Sequence, residues 1–284
     1  MVNQVIRKSM VIRPSGRSTD YISPSFGHGC LFNCTYCYMK RHKPEGLDIA
    51  KNTSEIITEI NNHSWFSVVD KPNQTHEKFI TYDISCNEDF ALHLKYHMWQ
   101  YIFDFFKQSE IAMGSFATKY VNKELLTYNP EKKIRIRFSL MPQKYADLLE
   151  PNTTKIIDRI KAINKFIDAG YDVHINFSPV IVTDDWLQNY RTLFEQVNRF
   201  VKHKDKVKAE VIFLTHNESK HLYNLSNNLP GEHLLWNSLT QENKISQYGG
   251  KNIRYKHNLK SQYIKEWIDL HDEIIPWNTI RYIF

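Results

Sequence analysis

Along most of the chain, apolar residues recur in short runs whose spacing switches between a period of two and a period near 3.6, the marks of alternating strands and helices. The two-residue alternation is clearest in KIRIRFSLMP. There Ile134, Ile136 and Phe138 fall on one face and Arg135, Arg137 and Ser139 on the other, as a strand requires. Further strands are predicted over 21–25, over 78–82, in IAMGSFATKY ending near Thr118 and Lys119, in YDVHINFSP, and over 207–214. Between them the spacing predicts helices over about 54–62, capped by Thr53 or Asn52, and over 92–108, where Tyr96, Trp99, Phe103 and Phe106 mark a buried face. A short helix over 122–126, a long one over 152–169 stopped by Gly170, one over 184–200 and a last one over 261–270 complete the set. The stretch from Trp65 to His76 reads as loop.

Strands that alternate with helices form a parallel sheet, because each crossover returns the chain to the same edge of the sheet. Six such repeats predict an α/β fold, an incomplete (β/α)6 barrel of the TIM type, open on one side to a bulky substrate. Residues 1–20 form a basic arm, with Arg7, Lys8, Arg13 and Arg17 near Pro14 and Gly16; 21–214 the partial barrel; and 215–284 a C-terminal extension. Ligands of such sheets bind at the C-terminal ends of the strands.

Composition narrows the class. A chain of 284 residues that is 42% hydrophobic and 13% aromatic, with 9 glycines and 10 prolines, folds rather than stays disordered. No apolar run reaches the roughly 18 residues of a membrane span, and MVNQVIRKSMVIRPSGR lacks the apolar core of a signal peptide, so a cytoplasmic protein is expected. The formal charge of +6 favours a polyanionic partner.

The cysteines change the picture most. Three of only four, Cys30, Cys34 and Cys37, fall within eight residues of a loop bearing Gly27 and Gly29, in the spacing C-x3-C-x2-C. Thiolates are the soft donors that iron–sulfur clusters and zinc prefer. Three of them would leave one iron of a 4Fe–4S cube without a protein ligand. A structural zinc site competes, with His28 or His42 as the fourth ligand, and so does plain burial of three thiols.

With aromatics at Phe32, Tyr36 and Tyr38, the triad resembles the cluster loop of radical S-adenosylmethionine (SAM) enzymes. GHGCLFNCTYCY together with ISCNED and RIRFSLMP resembles more narrowly the spore photoproduct lyase family, and that likeness runs through most of the chain. The resemblance implies a radical SAM partial barrel. It implies one 4Fe–4S cluster on Cys30, Cys34 and Cys37, with SAM chelating the open iron and supplying a radical. It also implies repair of 5-thyminyl-5,6-dihydrothymine in UV-damaged DNA, with electrons from a small reducing protein. Cys86 would return a hydrogen atom to the thymine radical, and Tyr38 would relay one, with Tyr36 its neighbour across Cys37. Lys119 and Ser139, in FATKY and RFS, match SAM contacts, and Arg137 stands with them as a donor to the cofactor carboxylate. Arg254 and Tyr255, in NIRYK, resemble tail residues that enter damaged DNA.

Two other functions remain open on the residues alone. One is a radical SAM enzyme acting on a different nucleic acid base or on a peptide, although the chain has no cysteine after Cys86 to hold a second cluster. The other is a non-enzymatic, metal-bearing nucleic acid binding protein.

Overall fold

The structure is a computed structural model that describes residues 1–66, 71–245 and 251–284, the Arg41 side chain excepted. In chain order the strands and helices are β1 (Val2–Val5), β2 (Arg13–Pro14), β3 (Tyr21–Ile22), β4 (Gly27–Gly29), α1 (Met39–His42), β5 (Leu47–Ala50), α2 (Thr53–Phe66), β6 (Ile80–Asp83), α3 (Phe90–His93) and α4 (Trp99–Gln108). There follow β7 (Ala112–Thr118), β8 (Ile134–Leu140), α5 (Gln143–Leu149), α6 (Ile156–Asp168), β9 (Asp172–Val180), α7 (Trp186–Phe200) and β10 (Lys208–Phe213). The chain ends with β11 (Thr215–His216), α8 (Glu218–Ser226), α9 (Glu232–Leu235), β12 (Gln241–Ile245), β13 (Lys251–Tyr255), α10 (His257–Ile274) and β14 (Thr279–Ile283).

Eight strands make the main sheet, in the order β14-β10-β9-β8-β7-β6-β3-β2. The chain divides into two compact units, one of Met1–Leu31, Lys43–Phe138 and Ala162–His174, the other of Phe32–His42, Ser139–Lys161 and Ile175–Phe284.

In the first unit β3, β6, β7 and the start of β8 pair in parallel, and β2 closes the edge antiparallel to β3. Within the arm β1 pairs in parallel with β5, which pairs antiparallel with β4. Helix α4 buries Trp99, Ile102, Phe103 and Phe106, a one-sided stripe, and Phe103 packs on Phe90, Phe116 and Tyr171. At roughly 1.5–3 kcal/mol for each large apolar side chain buried, these rings dominate the local core. The predicted helix over 92–108 is broken in two. His97 leaves the helical conformation (φ −95°, ψ 155°), stacks on Phe90 at 4.5 Å and bonds to Glu88 through Nε2 at 2.8 Å. That buried bond outweighs the continuous apolar period.

Strand β8 also departs from simple alternation, for all seven of its residues are buried. Arg135 and Arg137 are tolerated inside because Arg135 Nε pairs with Asp172 at 2.7 Å and Arg137 Nη2 with Asp83 at 2.7 Å, and a buried charge persists only when paired. Helix α2 runs on to Phe66, into the stretch expected as loop; residues 67–70 of that stretch lie outside the described residues.

The second unit holds a strand that the sequence pattern did not separate from the tail: β14 pairs in parallel with β10. Trp267 of α10 anchors that side, packed edge-on to Phe177, Phe194 and Tyr190. A small antiparallel sheet, β11-β13-β12, follows, with residues 246–250, including Tyr248, Gly249 and Gly250 of YGGKNIRYK, outside the described residues.

Candidate active site

Within the first unit the loop after β6 and the helix α3 that follows it are fastened to the two sides of Cys30. The Gly29 N–H donates to the Asn87 carbonyl at 3.0 Å, and the Leu31 N–H donates to His93 Nε2 at 3.2 Å. Cys86, half-buried, precedes Asn87, so two candidate residues 56 positions apart lie on segments bonded to each other. Because His93 Nε2 accepts from Leu31, its Nδ1 is left to face Glu88 Oε2 at 2.9 Å.

Glu88 is the hub of this arrangement. Its side chain is fully buried, and burial pushes its pKa up, but His97 and His93 overcome that and hold it at about 2. Gly27 lies over the carboxylate so closely that a Cβ there would overlap it. A glycine is required at this point because a carboxylate has to pass.

Asp89 caps α3 by accepting from the Leu92 N–H at 3.2 Å, and it also accepts from Thr118 Oγ1 at 2.6 Å and from the Lys119 N–H at 2.8 Å. The start of the Lys119 segment is thereby tied to the ISCNED loop. Arg137 is drawn the other way, into the sheet, by Asp83 and by Ser115 Oγ at 3.1 Å.

Cys34 and Cys37 belong to the second unit, in a turn closed by the Cys37 N–H on the Cys34 carbonyl at 3.0 Å and leading into α1. No disulfide joins any of the four cysteines. Between the two thiols, the Tyr36 hydroxyl donates to Glu150, whose other oxygen takes Arg159 Nη2 at 2.7 Å; the Glu150 and Arg159 side chains are wholly buried. Burial, the Glu150 carboxylate and Cys34 push the Tyr36 phenol well above its usual range, so it stays protonated. Tyr38 is different. It is 44% exposed and stands edge-on to His42 at 6.0 Å.

Ser139 is buried, its Oγ 3.5 Å from Asn176 Nδ2. Arg254 and Tyr255 lie side by side on β13. Arg254 is half-buried, whereas Tyr255 is 2% exposed, its hydroxyl accepting from the Val182 N–H at 2.9 Å and its ring edge-on to Phe213 and Tyr263.

Several residues here carry no sequence signal. Glu150, just past the end of α5, and Arg159, on α6, are single charges with no motif around them, and Lys220 and Asn224 sit in a polar stretch of α8. His216, His221 and Glu232 form a compact group that could hold a metal ion. Glu88 alone of these lies within a quoted motif, ISCNED. The donor set of Cys34 and Cys37 fits a thiolate-held cluster on one further observation. Lys220 is 1% exposed with no hydrogen-bond partner for its Nζ among the described residues; burial lowers its pKa, and Cys37, Glu232 and Cys34 oppose that.

The family model for spore photoproduct lyase matches residues 2–284. The chain belongs to the spore photoproduct lyase family. The lyase of Bacillus subtilis (strain 168) is 28% identical over 199 residues, 68% of this chain and 55% of the relative, and that of a Geobacillus species is 24% identical over 200 residues with the same coverage. The matched region thus spans about half the length of these curated family members. A solved spore photoproduct lyase complexed with dinucleoside spore photoproduct superposes with a TM-score of 0.88 at 18% identity, covering 100% of this chain and 82% of that one. A variant of the lyase with bound AdoMet and the same dinucleoside gives 0.87 at 17%, with the same coverage. The fold is therefore that of the family, the incomplete α/β barrel that the strand–helix alternation predicts. No helix among the described residues is long and apolar enough to cross a membrane.

Proposed function

We propose that this chain is a SAM-dependent radical lyase that cleaves the carbon–carbon bond of 5-thyminyl-5,6-dihydrothymine in UV-damaged DNA and restores two thymines. The observation that carries the reading is the pair of hydrogen bonds, Gly29 N–H to the Asn87 carbonyl and Leu31 N–H to the His93 ring, by which the segment running from Cys86 into α3 grips the residues on either side of Cys30. A hydrogen donor is useful only beside the place where the radical is made. In this reading Cys30, Cys34 and Cys37 hold a 4Fe–4S cluster. When bound, the cluster and SAM supply the radical that takes a hydrogen atom from the lesion.

The chain's own residues then have separate tasks. Lys119 and Ser139 orient SAM by donating to its carboxylate and ribose. Arg137 shapes the strand end from its place between Asp83 and Ser115. The Cys86 S–H bond breaks as a C–H bond forms on the thymine radical, leaving a thiyl. The exposed Tyr38 O–H gives its hydrogen atom to that thiyl and recovers one from the 5′-deoxyadenosine left when the radical was spent, and Tyr36, committed to Glu150, holds the loop. Arg254 contacts the DNA phosphate, while Tyr255 supports it from the core. Electrons come from a small reducing protein in the cytoplasm.

Anaerobic incubation of reconstituted protein with SAM, a reductant and the dinucleoside photoproduct is expected to yield the thymine dinucleoside. Replacing Cys86 by Ala should leave iron content and SAM cleavage intact while abolishing clean thymine return. Formation of 5′-deoxyadenosine without any repair by the unaltered protein would sink the lyase reading.

A further inference from the structure

Helix α8 turns one buried face toward the loop that joins Cys34 to Cys37. Lys220 and Asn224 stand one turn apart on that face, each 1% exposed. Asn224 Nδ2 donates to the carbonyl of Thr35, the residue after Cys34, at 3.0 Å. The Thr35 N–H and hydroxyl are fixed in turn by the carbonyls of Leu149 and Pro230, both at 2.9 Å. The loop is therefore held against α8 through defined bonds.

Against this background Lys220 Nζ and Asn224 Oδ1 are anomalous, because neither has a hydrogen-bond partner among the described residues. Leaving an ammonium out of water without an acceptor is strongly unfavourable. The neighbouring carboxylate does not resolve it. Glu232 Oε1 already takes His216 Nε2 at 2.9 Å and His221 Nδ1 at 2.6 Å, and its Oε2 takes Asn224. Trp236, stacked on His221 at 3.9 Å, locks that arrangement. The Tyr223 ring lies beside Nζ, 4.7 Å to its centroid, and a ring face is a weak substitute for an anion.

We propose that Lys220 is the counter-charge of the cluster bound at Cys34 and Cys37, a positioning residue that eases the cluster's acceptance of an electron. The inference rests on the radical reading above. A fixed positive charge next to thiolate-held iron stabilises the reduced state, which carries one more negative charge, over the oxidised one; net charge and hydrogen bonds to sulfur are the levers that set such potentials. The orphaned charge is a cost to the fold that the bound cluster offsets.

The test compares Lys220→Met and Lys220→Arg with the unaltered protein, both loaded with cluster and stripped of it. Loaded K220M is expected to keep the iron and sulfide content, and its midpoint potential, followed by the reduced-cluster electron paramagnetic resonance signal, should fall. The expected loss is about tenfold in the reduction equilibrium constant, about 59 mV for one electron. Stripped K220M should unfold at higher urea than stripped unaltered protein, because the orphaned charge is gone. K220R should restore the original potential. An unchanged potential in K220M, or a stripped K220M less stable than the unaltered protein, overturns the assignment, the second by making Lys220 a structural residue. Should K220M take up no iron, K220R decides: iron at the original potential supports the charge, and no iron overturns it. Unaltered protein without any 4Fe–4S signal instead brings down the radical reading itself.

Discussion

Replacing Glu150 by Ala strikes the connection between the core of the second unit and the turn bearing two of the cysteines. Glu150 accepts from the Tyr36 hydroxyl on one oxygen and from Arg159 Nη2 on the other, and neither the Glu150 nor the Arg159 side chain has any exposed surface. Arg159 keeps its bonds to Thr154 O at 2.7 Å, Ser139 O at 2.8 Å and Thr153 Oγ1 at 2.7 Å. It therefore stays in place as a buried, uncompensated cation. Breaking a buried pair in this way costs about 3–5 kcal/mol. Glu150→Gln retains an acceptor and the side-chain volume and should cost about 1.5–3 kcal/mol, the range for a bond to a charged group. Tyr36→Phe loses a single bond and leaves the ion pair intact, at about 1 kcal/mol. Urea unfolding at pH 7, followed by far-ultraviolet circular dichroism, ranks the three. Iron content after reconstitution should fall in the same order, since Tyr36 lies between Cys34 and Cys37. A Glu150→Ala protein within about 1 kcal/mol of the parent, or one no worse than Glu150→Gln, would refute the view that a buried charge pair anchors this turn.

Gly27→Ala places a methyl group on the Glu88 carboxylate and should destabilise the protein by about 1–3 kcal/mol. Combined with Glu88→Ala it should add almost nothing further, because the clash has gone; additive losses measured by urea unfolding would contradict this. Glu88 also predicts a pH dependence. Its folded pKa of about 2 lies below its ordinary value of 4.5, so it contributes stability above pH 4.5 that is lost as pH falls toward 2. The full contribution is about 3 kcal/mol, and about 2 kcal/mol of it is gone by pH 3. The stability difference between the parent and Glu88→Gln should narrow by that amount between pH 6 and pH 3, and a constant difference would show that the histidines do not hold the carboxylate ionised.

What could be read in the sequence follows from which interactions have a short period. Strands β6 to β10 and helices α4, α6 and α7 show in the apolar spacing, because each buries one face against a neighbour and the period records it. Strand β14 does not show. Its residues are only half-buried, and its pairing with β10, some 70 positions away, is made by backbone groups that every sequence possesses. The same division runs through the candidate site. Three thiols in one turn announce themselves by type and spacing, and Cys86 stands out as the remaining cysteine. The residues around them are ordinary charges, Glu88, Glu150, Arg159 and Lys220, whose role depends on being buried. Burial of a charge runs against its hydropathy, so a pattern of polar and apolar letters places each of them at the surface. The missing information is electrostatic and lies in the partners. Glu88 has two histidines, Glu150 has an arginine and a phenol, and Lys220 has no hydrogen-bond partner among the described residues. In a folded chain the first two are explained by the protein itself, and the third becomes intelligible once an anion is bound beside it.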